Sequence, residues 1–525
     1  MANNNDWPVA RFSNGTVGVQ NAGKTVLVNS NEFHVVGDIE VSGELVVKGK
    51  HLLPPKCMLP GGDKLQYNGT HWFCVCVENW SGETCEATPS PPLSPSPPPP
   101  SPPPYALLET PPVSARRFHT CALLNNIYVK CWGYNDAGQL GLGDTNNRGD
   151  ESGEMGDDLP AVDLGTGRTA TAISAGSNHV CAILDNKSVK CWGGNYYGQL
   201  GLGDTNKRGD ASGEMGDNLP AVDLGTGRTA TAISAGDSHT CAILDNKSVK
   251  CWGGNFWNGQ LGLGDTNDRG DASGEMGDNL PAVDLGTGRT ATAIAAGGFQ
   301  TCAILDDKSV KCWGKNHHGQ LGLGDTNARG DASGEMGDNL PAVDLGTGRT
   351  ATAIAAGYDY TCAILDDKSV KCWGFNSSGQ LGLGDTIDRG GSPGEMGDDL
   401  PVLDLGIGRV ATAIAAGSSH TCAILDDKSV KCWGNNRFGE LGLGDTNARG
   451  DASGEMGDNL PAVDLGTGRS ATAIATAPWR TCALLDDTSV KCWGRNVFGT
   501  LGLGDTIDRG GSPGEMGNNL PAIDV

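Results

Sequence analysis

From about residue 106 to the C-terminus, apolar and polar positions recur with a period of sixty residues. Around Cys241 the unit carries four short apolar runs, Pro220–Leu224, Thr229–Ala235, Thr240–Leu244 and Ser248–Trp252, separated by stretches rich in Gly, Asp and Asn. Each run has strand length, β-branched residues recur in it, and none supplies a helix of three turns. Seven copies follow one another, with a single interval of sixty-one residues caused by an insertion beside Trp257. Four strands per repeat of this size make a propeller blade, so the expected fold is an all-β, seven-bladed β-propeller.

The segment Cys181–Cys191 predicts a hairpin whose turn lies around Asn186. Counting outward places Cys181 opposite Cys191, where Cβ atoms are about 4.5–5.5 Å apart, close to the separation a disulfide needs. The same spacing recurs at Cys121 and Cys131, Cys241 and Cys251, Cys302 and Cys312, Cys362 and Cys372, Cys422 and Cys432, and Cys482 and Cys492. One disulfide per blade is the expectation, with buried free thiols as the alternative. Zinc fits worse, because a hairpin pair is half a tetrahedral set and no histidine recurs in every repeat.

An asymmetry bears on ring closure. The run LPAVDL, or LPVLDL before the sixth repeat, precedes repeats two to seven, as at Leu219–Leu224, and nothing equivalent precedes the first. The missing copy stands at the C-terminus as Leu520–Val525. The ring is therefore expected to close by pairing of this C-terminal strand with blade one, removing two open sheet edges.

Four regions follow from these shifts in pattern. Residues 1–52 are polar with short β-rich runs, a small region needing partners, either an oligomer of itself or attachment to a fibre or capsid. Residues 53–85 hold Cys57, Cys74, Cys76 and Cys85, and the run from Cys74 to Cys85 with Gly82 resembles the C-terminal half of an EGF-like domain. With that resemblance, Cys57–Cys74 and Cys76–Cys85 is the expected choice among the three possible pairings. Residues 86–105 are Ser/Pro-rich, a polyproline II spacer resembling the stalks of extracellular algal proteins. Residues 106–525 are the propeller.

Lys plus Arg number 38 against 62 Asp plus Glu, a formal net charge of −24. That field repels nucleic-acid backbones and anionic lipid surfaces, so neither is an expected partner. No run of eighteen apolar residues occurs, so no membrane insertion is expected. Met1–Asp6 has neither a basic nor an apolar signal region, which sits awkwardly with eighteen cysteines that pair so readily. A removed signal segment or oxidation of a virion protein after release would reconcile the two.

The run Cys191-Trp192-Gly193-Gly194-Asn195, followed by Gly198-Gln199-Leu200-Gly201 and preceded by His179, resembles the repeat of the regulator-of-chromosome-condensation family. It recurs at Trp132, Trp252, Trp313, Trp373, Trp433 and Trp493, covering about 420 of the 525 residues. The resemblance implies a seven-bladed disc with loops on two faces. The family's founding members are nuclear exchange factors for a small GTPase that also bind chromatin, which makes an intracellular exchange factor or GTPase scaffold the alternative function. The acidic disc and paired cysteines point away from that role.

Several motifs reduce to bland readings. Gly18–Thr25 matches the phosphate-loop pattern by letters, yet a β-like run follows it where a helix would have to begin. Arg-Gly-Asp recurs, as at Arg208–Asp210, inside a duplicated loop and so counts once. In that loop Asp204, Asp210, Glu214 and Asp217 carry the hard oxygens Ca²⁺ prefers, without EF-hand spacing. Calcium is the one cofactor entertained, against solvated turns. The repeats single out no Ser/His/Asp, Cys/His or paired-carboxylate set, so no enzymatic activity is expected.

Two short windows escape the near-identity of repeats two to seven. The first, after each Trp-Gly, reads Tyr196 and Tyr197, Phe256 and Trp257, His317 and His318, Phe375, Phe438 and Phe498; the second, before the first cysteine, includes Phe299, Tyr358, Tyr360 and Trp479. Unconstrained turns drift toward small polar residues, whereas these are aromatic. Such rings stack on sugars or anchor protein interfaces, although some, above all at His179, His239 and His420, are candidates for packing between blades. The function expected is a non-enzymatic adhesion module on the cell or virion surface, its stalked propeller binding a cell-surface glycan or protein.

Overall fold

A computed structural model describes residues 112–525 apart from Asn125, Asn126 and Trp257, and only short strands within residues 1–111. The chain forms two compact units, Met1–Ser101 and Pro102–Val525. In the first, Thr25–Asn29, Glu32–Val36, Lys64–Tyr67 and Trp72–Val75 make one antiparallel sheet in that order. The expected bonds Cys57–Cys74 and Cys76–Cys85 and the proline spacer lie outside the described residues.

The second unit is all-β and consists of seven antiparallel sheets of three strands. In blade two an inner strand, Ala170–Ala175, pairs with the middle strand His179–Leu184, which pairs with the third strand Val189–Gly193. The register sets Cys181 against Cys191, and the two are bonded at Cα–Cα 4.1 Å. The other six blades repeat the bond at the same Cα separation of 4.1 Å: Cys121 with Cys131, Cys241 with Cys251, Cys302 with Cys312, Cys362 with Cys372, Cys422 with Cys432, and Cys482 with Cys492. Each of these fourteen sulfurs therefore meets its partner within its own hairpin, as the sequence spacing leads one to expect. The run Pro220–Leu224 is an extended segment rather than a full strand. Its proline lacks a donor, and a single ladder bond, Val222 N–H to the Val189 carbonyl at 2.8 Å, holds it to the third strand.

The core lies between blades, not within them. Cys181, Ile183, Val189 and Leu200 of blade two pack on Ala230, Ile233, Ala242, Leu244 and Trp252 of blade three. A single sheet cannot bury its own face, so each repeat depends on its neighbour. The repeating Trp is fully buried and its indole N–H donates backwards across the junction, Trp252 to the Gln199 carbonyl at 3.1 Å. Gly198 (φ +75°) is needed for the same closeness, since a Cβ there would stand 2.2 Å from the Asp271 amide nitrogen of the next blade.

The ring closes, but the terminal segment sits one blade away from the pairing expected of it. Each LPAVDL run belongs to the hairpin before it, because the long loop returns the chain to the free edge of the third strand. Blade one therefore has its own copy, Val162 N–H donating to the Val129 carbonyl at 2.8 Å. Ile523 of the C-terminal copy pairs with Val490 of blade seven, and a backbone hydrogen bond ties the segment to blade one, the Asp524 carbonyl accepting from Gly156 N–H at 2.9 Å. The seam is an ordinary blade junction: Val113, Ala115 and Trp132 of blade one pack on Cys482, Cys492, Leu501 and Ile523 of blade seven. Its distinctive element is Arg480, buried where blades one, two, three and six carry His, donating to the carbonyls of Arg117 at 2.5 Å and of His119.

Candidate recognition face

Both variable windows come together by strand register. His179 at the start of the middle strand faces Gly193 at the end of the third, so the loops entering one and leaving the other emerge at the same end of every blade. The result is one face of the ring carrying aromatic side chains in two arcs. The first runs across blades two to five: Tyr197 to Phe256 with centroids 4.3 Å apart, Phe256 to Phe299 at 6.0 Å, and Phe299 to Tyr358 at 5.7 Å. The second crosses blades six, seven and one: Phe438 to Trp479 at 6.4 Å, Trp479 to Phe118 at 5.6 Å, Phe118 to Phe498 at 5.6 Å, and Phe498 to Tyr134 at 4.5 Å. His318 leans on Phe375 at 4.5 Å and its Nδ1 lies 2.9 Å from Asp388.

Tyr196 is 54% exposed and Tyr197 37%. His317 is exposed, and Phe256, His318, Tyr358, Phe375, Phe438, Trp479 and Phe498 are half-buried. Trp257 lies outside the described residues. Tyr360 does not belong to the face: it is fully buried, its hydroxyl donates to the His420 carbonyl at 2.6 Å, and burial pushes its pKa above the usual range. It opens the middle strand, as do His119, His179, His239, Gln300, His420 and Arg480, and all of these fill the junction between neighbouring blades. Burial holds the four histidines at a pKa of about 3, so they are neutral. Each of His179, His239 and His420 contacts a Thr hydroxyl of the next blade, as His179 Nε2 does Thr240 Oγ1 at 2.9 Å.

Cations interleave with the rings. Lys207 lies 5.6 Å over Tyr196, Lys315 5.6 Å over Phe299, Arg117 5.5 Å over Phe118, and Arg495 within 5.0 Å of both Phe438 and Trp479. Phe118, Tyr134, Arg117 and Arg495 were not among the residues singled out from sequence. The first three stand in blade one at the positions of the two windows, and comparing all seven repeats, not six, would have found them.

The acidic loops are committed elsewhere. Asp204 pairs with Arg208 at 2.7 Å, Glu214 accepts from the Gly209 and Ala211 amides, and Asp217 accepts from the Thr166 hydroxyl of the preceding blade at 2.6 Å. These carboxylates are dispersed as lacing between loops, and no group of three or more His, Cys, Asp or Glu suited to a metal occurs among the described residues. Asp204, Glu214 and Asp217, whose oxygens are of the kind calcium prefers, are thus drawn into separate contacts. The Arg of the Arg-Gly-Asp run is likewise used internally.

Comparison with known proteins matches the RCC1-like domain over residues 100–447. The ultraviolet-B receptor UVR8 of Arabidopsis thaliana is 29% identical over 401 residues, 76% of this chain and 79% of that protein. The human probable E3 ubiquitin-protein ligase HERC6 is 28% identical over 303 residues, 56% of this chain and 26% of that much longer protein. Among solved structures, Prp20p from Saccharomyces cerevisiae, described with its binding to Gsp1p and histones, superposes with a TM-score of 0.54 at 18% identity, covering 76% of this chain and 86% of that one.

Proposed function

The chain belongs to the RCC1-like domain family, and on that premise we propose that it is a non-enzymatic recognition protein, an adhesion head of the cell or virion surface whose aromatic face binds a protein or glycan on a target cell. The observation that carries the reading is the pair of aromatic arcs, concentrated where near-identical repeats diverge and left partly open to solvent. Rings of this kind bury large apolar area at low entropic cost, as interface anchors do. A protein partner accords with the relatives, since Prp20p binds Gsp1p and histones. Seven disulfides support an oxidising setting, and the proline-rich run 86–105 has the composition of a stalk.

Replacing Tyr196, Tyr197 and Phe256 together with Ser tests the reading. Target-cell or glycan-array binding should be lost while the melting temperature stays within a degree or so, because none of the three side chains belongs to the core between blades. Retained binding, or an unfolded variant, would show that these rings are not the recognition surface.

A further inference from the structure

The eighteen arginines from Arg116 to Arg509 are not equivalent. Fourteen are ion-paired, the repeats supplying an Asp partner for each loop Arg and each Gly-x-Gly-Arg. Arg480 is buried on backbone carbonyls. Arg117, Arg437 and Arg495 remain, without an ion pair among the described residues, and all three lie on one strip across blades six, seven and one. Arg437 and Arg495 flank the Phe438 ring at 5.4 and 4.8 Å, Arg495 also covers Trp479, and Arg117 covers Phe118, which packs on Trp479.

The strip opens into a cavity of about 350 Å³ lined by Arg117, Phe118, Tyr134, Tyr196, Arg495 and Phe498, and by Asp136. Two of these residues adopt left-handed backbone, Arg117 at φ +41° and Phe498 at φ +63°. Every other non-glycine residue with positive φ among the described ones sits at the tip of the cysteine hairpin, where the repeats impose it. Strained positions outside the repeated plan cluster at this one cavity, a pattern typical of binding sites.

We infer that this seam binds a short acidic peptide segment of the partner protein, its carboxylates on Arg117, Arg495 and Arg437. Guanidinium forks held against aromatic rings are preorganised for carboxylate contacts. Alternate side chains of an extended peptide fall about 6.6–6.8 Å apart on one face, so a short acidic segment presents several carboxylates along one side. A long polyanionic glycan would run off the strip onto a chain of net charge −24, whereas a short segment keeps its charge on the arginines. The inference rests on the reading of this face as the recognition surface.

The test uses the intact oxidised chain and fluorescence anisotropy with a labelled Glu-Gly-Glu-Gly-Glu peptide, its Gln counterpart, a heparin hexasaccharide and a sialylated trisaccharide. The Glu peptide should bind on the order of tenfold or more tightly than the Gln peptide, and the R117Q/R495Q variant should lose that preference while R168Q, whose Arg pairs with Asp185 elsewhere, keeps it. If the double variant fails to fold, the exposed R437Q should still weaken the Glu peptide about threefold. Equal binding of both peptides, binding of neither, unchanged binding by the variants, or binding of an acidic sugar in place of the peptide would each overturn the inference. Should R117Q/R495Q leave target-cell binding intact while the Tyr196, Tyr197 and Phe256 triple substitution abolishes it, the recognition face stands and the acidic-peptide assignment falls.

Discussion

Replacing Glu440 with Gln should stabilise the propeller at alkaline pH and leave it almost unchanged at acidic pH. Glu440 stands in blade six where blades one to five carry Gln139, Gln199, Gln260, Gln320 and Gln380. Its side chain is fully buried; Oε2 accepts from the Phe438 amide at 2.7 Å and Oε1 has no partner. Burial raises its pKa from 4.5 to about 7, offset in part by backbone amides. A carboxyl whose folded pKa lies above its unfolded value binds an extra proton in the native state between the two. Stability therefore falls as pH rises from about 4.5 to 7, and the whole penalty is present above that. The rise from 4.5 to about 7 corresponds to about 3 kcal/mol. Gln keeps the amide contact without a charge, so by denaturant titration E440Q should gain up to about 3 kcal/mol at pH 8.5 and nearly nothing at pH 4. Equal gains at both pH values, or a loss at pH 8.5, would refute the argument, because the penalty would then not come from ionisation of Glu440.

Acid should act in the opposite sense through His119, His179, His239 and His420. With folded pKa values of about 3 against an ordinary 6.5, the unfolded chain binds more protons between these limits, and each histidine removes about 1.4 kcal/mol per pH unit as pH falls through that window. His239→Gln, the residue the molecule already uses at Gln300, should lower the midpoint of acid unfolding while changing the melting temperature little at pH 7.5; an unmoved midpoint would exclude His239 as a contributor. Deleting residues 519–525 removes Leu520 from the core between blades six and seven and Ile523 from the core of the seam, and frees the Val490 edge. The shortened chain should melt lower and self-associate in size-exclusion chromatography, and a monomer with unchanged melting would contradict that role.

Periodicity carries most of the fold, for a physical reason: in a repeat protein each unit faces the same environment, so its pattern is written seven times over. The strand runs, the count of blades and the opposition of Cys181 to Cys191 all follow from local spacing and the two-residue alternation of an antiparallel hairpin. Clustering of the windows at one end of the blades follows from that same register. Where the repeat is cut is not a local property. Leu219–Leu224 is equally extended whether it belongs to the hairpin before or after it, and only the return of the long loop onto the Val189 edge decides the matter. Tyr358 and Tyr360 show the same limit at the candidate site. Two residues apart in one variable window, they read alike in sequence, yet Tyr358 reaches the aromatic arc and Tyr360 is sealed between blades five and six. Both positions vary, one because it faces solvent and the other because each junction packs its own set of side chains, and burial alone distinguishes them. The seam between blades seven and one brings Arg117 beside Phe498, nearly four hundred residues away, and that proximity exists only once the ring is closed.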